Sequence, residues 1–291
     1  MGIRTCVVLA VVVFVSELAT AGVEERPKSV FAKDNLVAWC IVPFDAQNRN
    51  PEERAQMLER LGVSKVAYDW RANHVPAFEE EILAYKRHGL DYFAFWDWHP
   101  AMAPLIRKHG IKPQIWKTFG APAEGTQQEK VAAAAKGLLP LIDQSRDLGC
   151  KLALYNHGGW AGEPQNMVAV CQWLRQNAQA DQVGIVYNLH HGHGHIQDFE
   201  ESLKAMKPYL LCLNLNGMNT NAKPKILPIG QGEHDRRLLE IIAKSGYKGP
   251  IGILDHRGDM DAEQSLRENL DGLKGLLKQM NDQEALKSFD D

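Results

Sequence analysis

The chain has 291 residues and a formal net charge of −3 at pH 7. Hydrophobic residues make up 45% of it, which is enough for one large core. No basic stripe is present, so a nucleic-acid partner is not expected. The cysteines form no CxxC pair and no small disulfide scaffold. Three of them, Cys40, Cys171 and Cys212, lie in apolar runs and are interpreted as small core residues.

The amino terminus predicts export. Arg4 precedes the apolar run CVVLAVVVFVSELATA, which closes with Ala-Thr-Ala at residues 19–21, a pattern typical of a cleaved secretory signal. A membrane anchor is the alternative, but it needs about 20 apolar residues, and Ser-Glu at residues 16 and 17 interrupts the run. We therefore expect a signal peptide over residues 1–21, a linker over 22–35, and a secreted or periplasmic protein without membrane contact after cleavage.

Beyond the linker, short apolar runs alternate with amphipathic segments. The runs are rich in Val, Ile, Leu and aromatic residues and are typical of buried strands. They cover residues 36–44, 65–70, 90–98, 112–119, 151–157, 183–191, 210–217 and 249–257. The segments between them, such as PEERAQMLERLG, begin with acidic residues and often end at Gly. Acidic residues in the first turn and Gly after the last turn are typical of helix termini, so these segments are predicted to be helices. The last helix is predicted in DAEQSLRENLDGLKGLLKQM.

This alternation predicts an α/β fold. Repeated β and α elements favour a parallel sheet, and eight such units match a single-domain (β/α)₈ TIM barrel, here over residues 36–280 with a tail at 281–291. An open doubly wound sheet is the alternative. It would place a Gly-rich phosphate loop after an early strand, whereas the nearest match, GQGEH at residues 230–234, opens the seventh helix.

Polar residues gather where the predicted strands end. In a TIM barrel the carboxyl ends of the strands meet at one mouth, where catalytic residues lie. The polar residues at these ends are Asp69, Asp97, Lys117, His157, His190, His191, Asn214, Asn216, Asp255 and His256. Polar groups on buried strands are costly unless paired. Each one alone could cap a turn, but their number predicts a site.

Two tryptophans lie past the centres of their strands. Core packing is the ordinary role of strand aromatics. Flat rings near polar groups also suit the apolar faces of a sugar, so Trp98 and Trp160 are candidate sugar platforms.

Three segments carry a family resemblance. LALYNHGG resembles a Leu-Glu-Asn-His strand, YNLHH an Asp-x-x-His strand, and IGQGEHD a Gly-x-Gly-x-x-Asp turn of the xylose isomerase-like TIM barrels. That superfamily contains sugar isomerases, epimerases, keto-sugar lyases and endonuclease-IV-type proteins, and the resemblance covers residues 36–280. It implies a small-molecule carbohydrate as partner, and proton abstraction next to a carbonyl of a sugar or keto-sugar. Isomerisation, epimerisation and elimination all begin that way.

The positions that would bind the family's metal ion depart from its pattern. Members of this kind typically hold a divalent ion with Glu, Asp, His and Glu on strands five to eight. The aligned residues are Tyr155, Asn188, Asn214 and Leu254, none of which is charged. The usual manganese or magnesium site therefore looks degenerate.

Histidines follow two residues later on three of these strands. Residues two apart point to the same face of a strand, so His157, His190 and His256 should face inward one step nearer the mouth, with Asn216 on the fourth strand. Three imidazoles with an open position favour zinc over manganese or magnesium, and one such ion is the cofactor that the sequence suggests. The remaining pair of the loop, His193 and His195, are interpreted as solvated.

Candidate catalytic groups follow from the implied chemistry. Glu233, His191 and His157 are candidate bases, and Lys117 or a metal could stabilise an enolate oxygen. Glu233 could equally serve the start of its helix. The residues expected to bind substrate are Asp69, Trp98, Trp160, Asn188, Asn214, Asn216 and Asp255.

Two other functions are compatible with the fold. A non-catalytic sugar-binding barrel is favoured by the missing metal-binding carboxylates and opposed by the histidines. An endonuclease-like role is opposed by the acidic net charge, by the export signal and by the lack of ligands for a three-zinc cluster. The sequence does not predict an oligomeric state.

Overall fold

The computed structural model describes residue 2 and residues 29–290. Eight parallel strands close into one barrel in sequential order, and the last strand pairs with the first. The strands are β1 Leu36–Trp39, β2 Lys65–Asp69, β3 Asp91–Trp96, β4 Gln114–Lys117, β5 Leu152–Tyr155, β6 Val183–Asn188, β7 Leu210–Leu215 and β8 Ile251–Leu254. The predicted TIM barrel is confirmed, and the open doubly wound sheet is excluded.

Helices separate the strands. They are α1 Pro51–Leu61, α2 Phe78–Arg87, α3 Met102–His109, α4 Gln127–Asp147, α5 Gly159–Gly162, α6 Pro164–Ala178, α7 Phe199–Met206, α8 Asp235–Lys244, α9 Ala262–Met280 and α10 Gln283–Lys287. The predicted helix-terminal signals are visible in α1, where Asn50 and Glu53 form a reciprocal capping box and Gly62 ends the helix at φ 66°. Compared with the eight helices expected from the sequence, α5 and α10 are additional.

The strands end earlier than the apolar runs that predicted them. The run 183–191, for example, contains β6 and then a 3₁₀ turn, Leu189–His191. Asn188 begins that turn, because its side chain accepts a hydrogen bond from the backbone N–H of His190. The polar ends of the runs therefore leave the sheet and form the loops of the mouth.

Large and small side chains share the interior of the barrel. Trp39, Trp116 and Tyr155 are buried there beside Ala67 and Ala153. The Trp39 ring packs edge-on against Trp116 at 4.8 Å and Tyr155 at 6.1 Å, measured between ring centroids. The barrel is therefore filled with aromatic rings directly below its mouth.

The segment before β1 packs against the end of the chain. Phe31 is fully buried, the Ser29 hydroxyl donates to Asp282 at 2.6 Å, and the Lys33 amide donates to the Ser288 hydroxyl at 2.8 Å. The described part of the predicted linker and the predicted tail thus meet at the amino-terminal end of the barrel.

Three sequence-based expectations concern compartment and redox state. The predicted signal peptide lies outside the described residues, so export stays a prediction. Within residues 29–290, no helix is both long enough and apolar enough to cross a bilayer. The cysteines of that range, at positions 40, 150, 171 and 212, are buried and free.

Candidate active site

A cavity opens at the carboxyl ends of the strands. Six of the predicted site residues line it: Asp69, His157, Asn188, His190, His191 and His256. The other lining residues are Trp39, Cys40, Phe44, Arg71, Trp96, Tyr155 and Leu254. Its mixed polar and aromatic lining suits a small polar ligand.

Four imidazoles form a continuous row across the cavity. The ring centroids are 4.7 Å apart for His157 and His191, 4.6 Å for His191 and His190, and 4.8 Å for His190 and His256. His157 lies at the exposed rim and His190 is buried. Phe44 packs edge-on against His256 at 4.2 Å and closes that end of the row.

Asparagines hold the ends of β5 and β6 together. Asn156 donates to the backbone oxygen of Asn188 at 3.0 Å and accepts from its amide N–H at 2.7 Å. The Asn188 side chain donates to the Tyr155 hydroxyl at 2.8 Å. Tyr155 and Asn188, two of the positions aligned with the family's metal ligands, are therefore hydrogen-bonded to each other. This pairing fixes the turn that carries His190 and His191.

Two non-glycine residues at the mouth have left-handed backbones. Cys40, directly after β1, has φ 62°, and His256, two residues after β8, has φ 56°. The two strands are paired. Such a conformation costs about 1–3 kcal/mol and clusters at functional sites. In both places the turn aims a side chain into the cavity, which no periodicity in the sequence predicts.

The inner histidines are neutral at physiological pH. Burial, and then the neighbouring histidines, lower the pKa of His190 to about 2 and that of His191 to about 3. Burial also lowers the pKa of His256. Neutral imidazoles can each donate one hydrogen bond to a ligand oxygen.

Asp69 is the carboxylate of this cavity. It is 1% exposed, and burial raises its pKa to about 7, against the opposing effects of Arg71 and of the Val42 amide, which donates to Oδ1 at 3.4 Å. Its Oδ2 atom has no hydrogen-bond partner among the described residues. Burial, and then Asp69, raises the pKa of the adjacent Cys40 thiol well above its usual value. Asp69 can therefore take up or release a proton near neutral pH, whereas the thiol stays protonated.

The histidines do not form a metal site in this arrangement. Their rings pack edge to face, and within residues 29–290 no group of three or more His, Cys, Asp or Glu side chains could hold a metal ion. The Nδ1 atoms of His190 and His256 have no partner in that range. The zinc ligands predicted from the sequence thus share one cavity without meeting at one point, and zinc binding by His157, His190 and His256 stays a prediction.

Three predicted residues lie outside the cavity at the same end of the barrel. Lys117 forms an ion pair with Asp97 at 2.6 Å. Trp98 packs against the outer hydrophobic core, and the Trp160 indole donates to Gln127 at 3.0 Å. These contacts give each of them a structural role.

Four more lie in β7 or in the surrounding loops. Glu233 is exposed and accepts from the Thr220 hydroxyl at 3.0 Å. Asn214 is fully buried beside Gly252, where an added Cβ would lie 1.9 Å from its Oδ1.

Asn216 and Asp255 also have partners in the protein. Asn216 donates to the backbone oxygen of Lys225 at 3.0 Å, and Asp255 accepts from the Ser265 hydroxyl. The Gly-x-Gly loop is filled by Asp235, whose Oδ2 accepts from the amides of Gly230 at 2.7 Å and Gly232 at 3.0 Å. That loop is therefore closed to a phosphate.

The two other histidines of the loop make contacts of their own. His193 Nδ1 lies 3.1 Å from the backbone oxygen of His190. His195 lies between Asp198 and Glu163, at 3.1 and 2.9 Å. Neither lines the cavity.

Sequence reasoning missed several cavity residues. Trp39 faces inward because it alternates with outward-facing neighbours, a pattern that the all-apolar strand hides. Arg71 lies two residues after β2, so its position next to a strand end was a signal in the sequence that could have identified it.

Comparison with known proteins identifies the fold. No protein-family model and no curated protein matches the sequence. An IolI protein with a bound zinc atom superposes with a TM-score of 0.66 at 14% identity, over 84% of this chain and 98% of that one. The chain has the xylose isomerase-like TIM-barrel fold.

Two further structures support this assignment. A 3-keto-D-glucoside 4-epimerase from E. coli gives a TM-score of 0.60 at 14% identity, over 84% of this chain and 100% of that one. A probable 3-DHS dehydratase from Bacillus anthracis gives 0.62 at 12% identity, over 81% and 98%. At these identities the likeness shows the fold, and the activity has to be inferred from the cavity.

Proposed function

We propose that the protein is a carbohydrate-active enzyme that removes a proton next to the carbonyl of a sugar or keto-sugar. The observation that carries this proposal is Asp69, a buried carboxylate in the cavity with an unpartnered oxygen and a pKa of about 7. A general base works best when its pKa lies near the working pH. An epimerase and a probable dehydratase among the similar structures agree with a sugar-modifying reaction.

The proposed step moves one proton. Asp69 Oδ2 accepts the proton as the substrate C–H bond breaks, and the electron pair of that bond forms the carbon–carbon double bond of an enediolate. The carbonyl oxygen becomes the negatively charged oxygen. Return of the proton to the former carbonyl carbon, with transfer of the neighbouring hydroxyl proton to the charged oxygen, gives isomerisation. Delivery of a proton from the opposite face of the double bond gives epimerisation, and loss of a β-substituent gives elimination.

The neutral histidines suit the oxygen that becomes charged. Donors already placed in a dry cavity stabilise a developing oxyanion without reorganisation. His190 and His191 are largely buried, and their low pKa values keep them as neutral donors rather than cations. In this arrangement Asp69 acts as the base, the imidazoles donate hydrogen bonds to the charged oxygen, and no step passes through a metal.

Hydrogen–deuterium exchange tests the proposal directly. We expect the protein, incubated in D₂O with a panel of ketoses, aldoses and keto-sugars, to exchange the proton next to the carbonyl of at least one of them, as measured by NMR. The activity is expected to survive removal of metals with a chelator. Loss on chelation that zinc restores would instead show that the histidines rearrange around an ion.

A sugar-binding barrel without catalysis is the second candidate. It is favoured by the aromatic side chains of the cavity, Trp39, Phe44 and Trp96, and by the lack of a metal-binding group within residues 29–290. Saturable binding of a sugar with no exchange in any panel member would support it against the enzyme.

We also propose that the protein is exported. The support is the basic start, the apolar run and the Ala-Thr-Ala ending of residues 1–21. The mature protein is expected to begin at or next to Gly22. Intact-mass measurement of the protein expressed with its own amino terminus tests this, and a retained Met1 in exported protein would refute cleavage.

A further inference from the structure

We infer that the substrate carries a negative charge, as a carboxylate or phosphate, and that Arg71 binds it at the mouth of the cavity. This inference rests on the proposed function and specifies its substrate class as an anionic sugar.

Arg71 is held across the mouth. Its guanidinium carbon lies 5.5 Å from the ring centroids of both Phe44 and Trp96. Its Nη1 donates to the backbone oxygen of Trp70 at 2.7 Å, and its amide donates to Nδ1 of His74 at 2.9 Å. The two rings and these hydrogen bonds orient the guanidinium, which reduces the entropy lost when it binds an anion.

Arg71 forms no ion pair within residues 29–290, whereas Arg49, Arg54 and Arg257 each pair with a carboxylate. The chain as a whole is acidic, with a net charge of −3. A cation outside any ion pair, at the mouth of a cavity in an acidic protein, attracts an anionic ligand.

Arg71 lines the cavity together with one acidic side chain, Asp69. An Arg side chain can bind a carboxylate or a phosphate through two parallel hydrogen bonds.

Binding measurements with matched ligands test the inference. We expect glucuronate or glucose 6-phosphate to bind at least 10-fold more tightly than glucose by titration calorimetry, with the advantage shrinking as salt is added. The carboxylate and the phosphate are separate arms and identify which anion is preferred. Equal affinity for all three would overturn the inference.

A pair of variants separates the site from overall charge. R71Q is expected to weaken anion binding about 10-fold or more and to leave glucose binding nearly unchanged. R107Q, which removes an exposed charge on α3, is the matched control and should have little effect. Equal effects of the two variants would contradict a specific role for Arg71.

The outcomes also distinguish this inference from the proposed function. If the protein exchanges the proton of neutral sugars and R71Q does not change the rate, the proposed enzyme activity is supported and the anion preference is refuted. If anions bind tightly, R71Q abolishes this binding and no anionic sugar is exchanged, the anion site is supported and the enzyme activity is refuted.

Discussion

Replacing Asp69 by Asn is expected to lower the rate of carbon–hydrogen exchange by about 10²–10⁴-fold, the range for loss of a general base. Asn keeps the shape of the side chain and an oxygen that can accept from the Val42 amide, so the fold should persist. It cannot take up a proton. The NMR exchange assay measures the effect, and E233Q is the control, because Glu233 lies outside the cavity.

The pH dependence of the wild-type protein should identify the same group. Asp69 acts as a base only when it is deprotonated, so kcat/KM is expected to rise with pH and level off above an apparent pKa of about 7. His190 and His191 stay neutral across this range. A profile that is flat between pH 5 and 9, or an unchanged rate in D69N, would assign the chemistry to another residue.

The same substitution should stabilise the protein at high pH. The pKa of Asp69 is raised from 3.8 to about 7 on folding, so the folded state binds the proton more tightly than the unfolded state. The Asp69 contribution to the free energy of unfolding is therefore fully present below about pH 4 and is lost as pH rises to about 7, by roughly 4 kcal/mol. Denaturant titrations should show this loss in wild type and not in D69N. A residue that lowers stability while supporting activity is typical of an active site.

The sequence predicted the barrel well, because its signals are local and repeated. Apolar runs, acidic residues at helix starts and glycines at helix ends recur along the chain. Each of these signals lies within a segment of about a dozen residues. The strand ends were less predictable. The run 183–191 was predicted as one strand, but the Asn188 side chain accepts a hydrogen bond from the His190 amide and the backbone turns out of the sheet there.

The site was predicted in part, because several of its determinants are not local. The mouth collects Asp69, Asn188 and the histidines from distant strands, as closure of a barrel requires. Which side chains enter the cavity depends on the left-handed turns at Cys40 and His256 and on pairs such as Lys117 with Asp97. Those pairs turn charged residues away from the mouth although they stand at strand ends.

Asp69 shows this limit most clearly. Its position at a strand end predicted that it binds substrate. Its suitability as a base depends on its burial and on the absence of a hydrogen-bond partner for Oδ2 among the described residues. Neither property can be read from KVAYDW. Glu233 was a candidate base together with His191 and His157, yet its carboxylate faces Thr220 and solvent.

Trp39 should be the most costly aromatic side chain to truncate near the site. It is 2% exposed, and its ring contacts Trp116, Tyr155 and Trp96 at centroid distances of 4.8, 6.1 and 6.4 Å. W39A would leave a void in the filled interior and is expected to cost about 3–5 kcal/mol. That is a large share of the roughly 5–15 kcal/mol that stabilises a typical domain. Thermal and denaturant unfolding measure the loss.

The effect should extend to the cavity, because the Trp39 ring forms part of its lining and packs against Tyr155. Tyr155 in turn bonds to Asn188, which starts the turn carrying His190 and His191. W39F keeps an aromatic ring and is expected to retain most of the stability and binding, whereas W39A should weaken both. W160A removes a partly buried tryptophan outside the cavity and should cost about 1 kcal/mol. Equal losses in W39A and W160A would show that the barrel interior tolerates the void, and a selective loss of sugar binding in W160A would restore Trp160 as a platform.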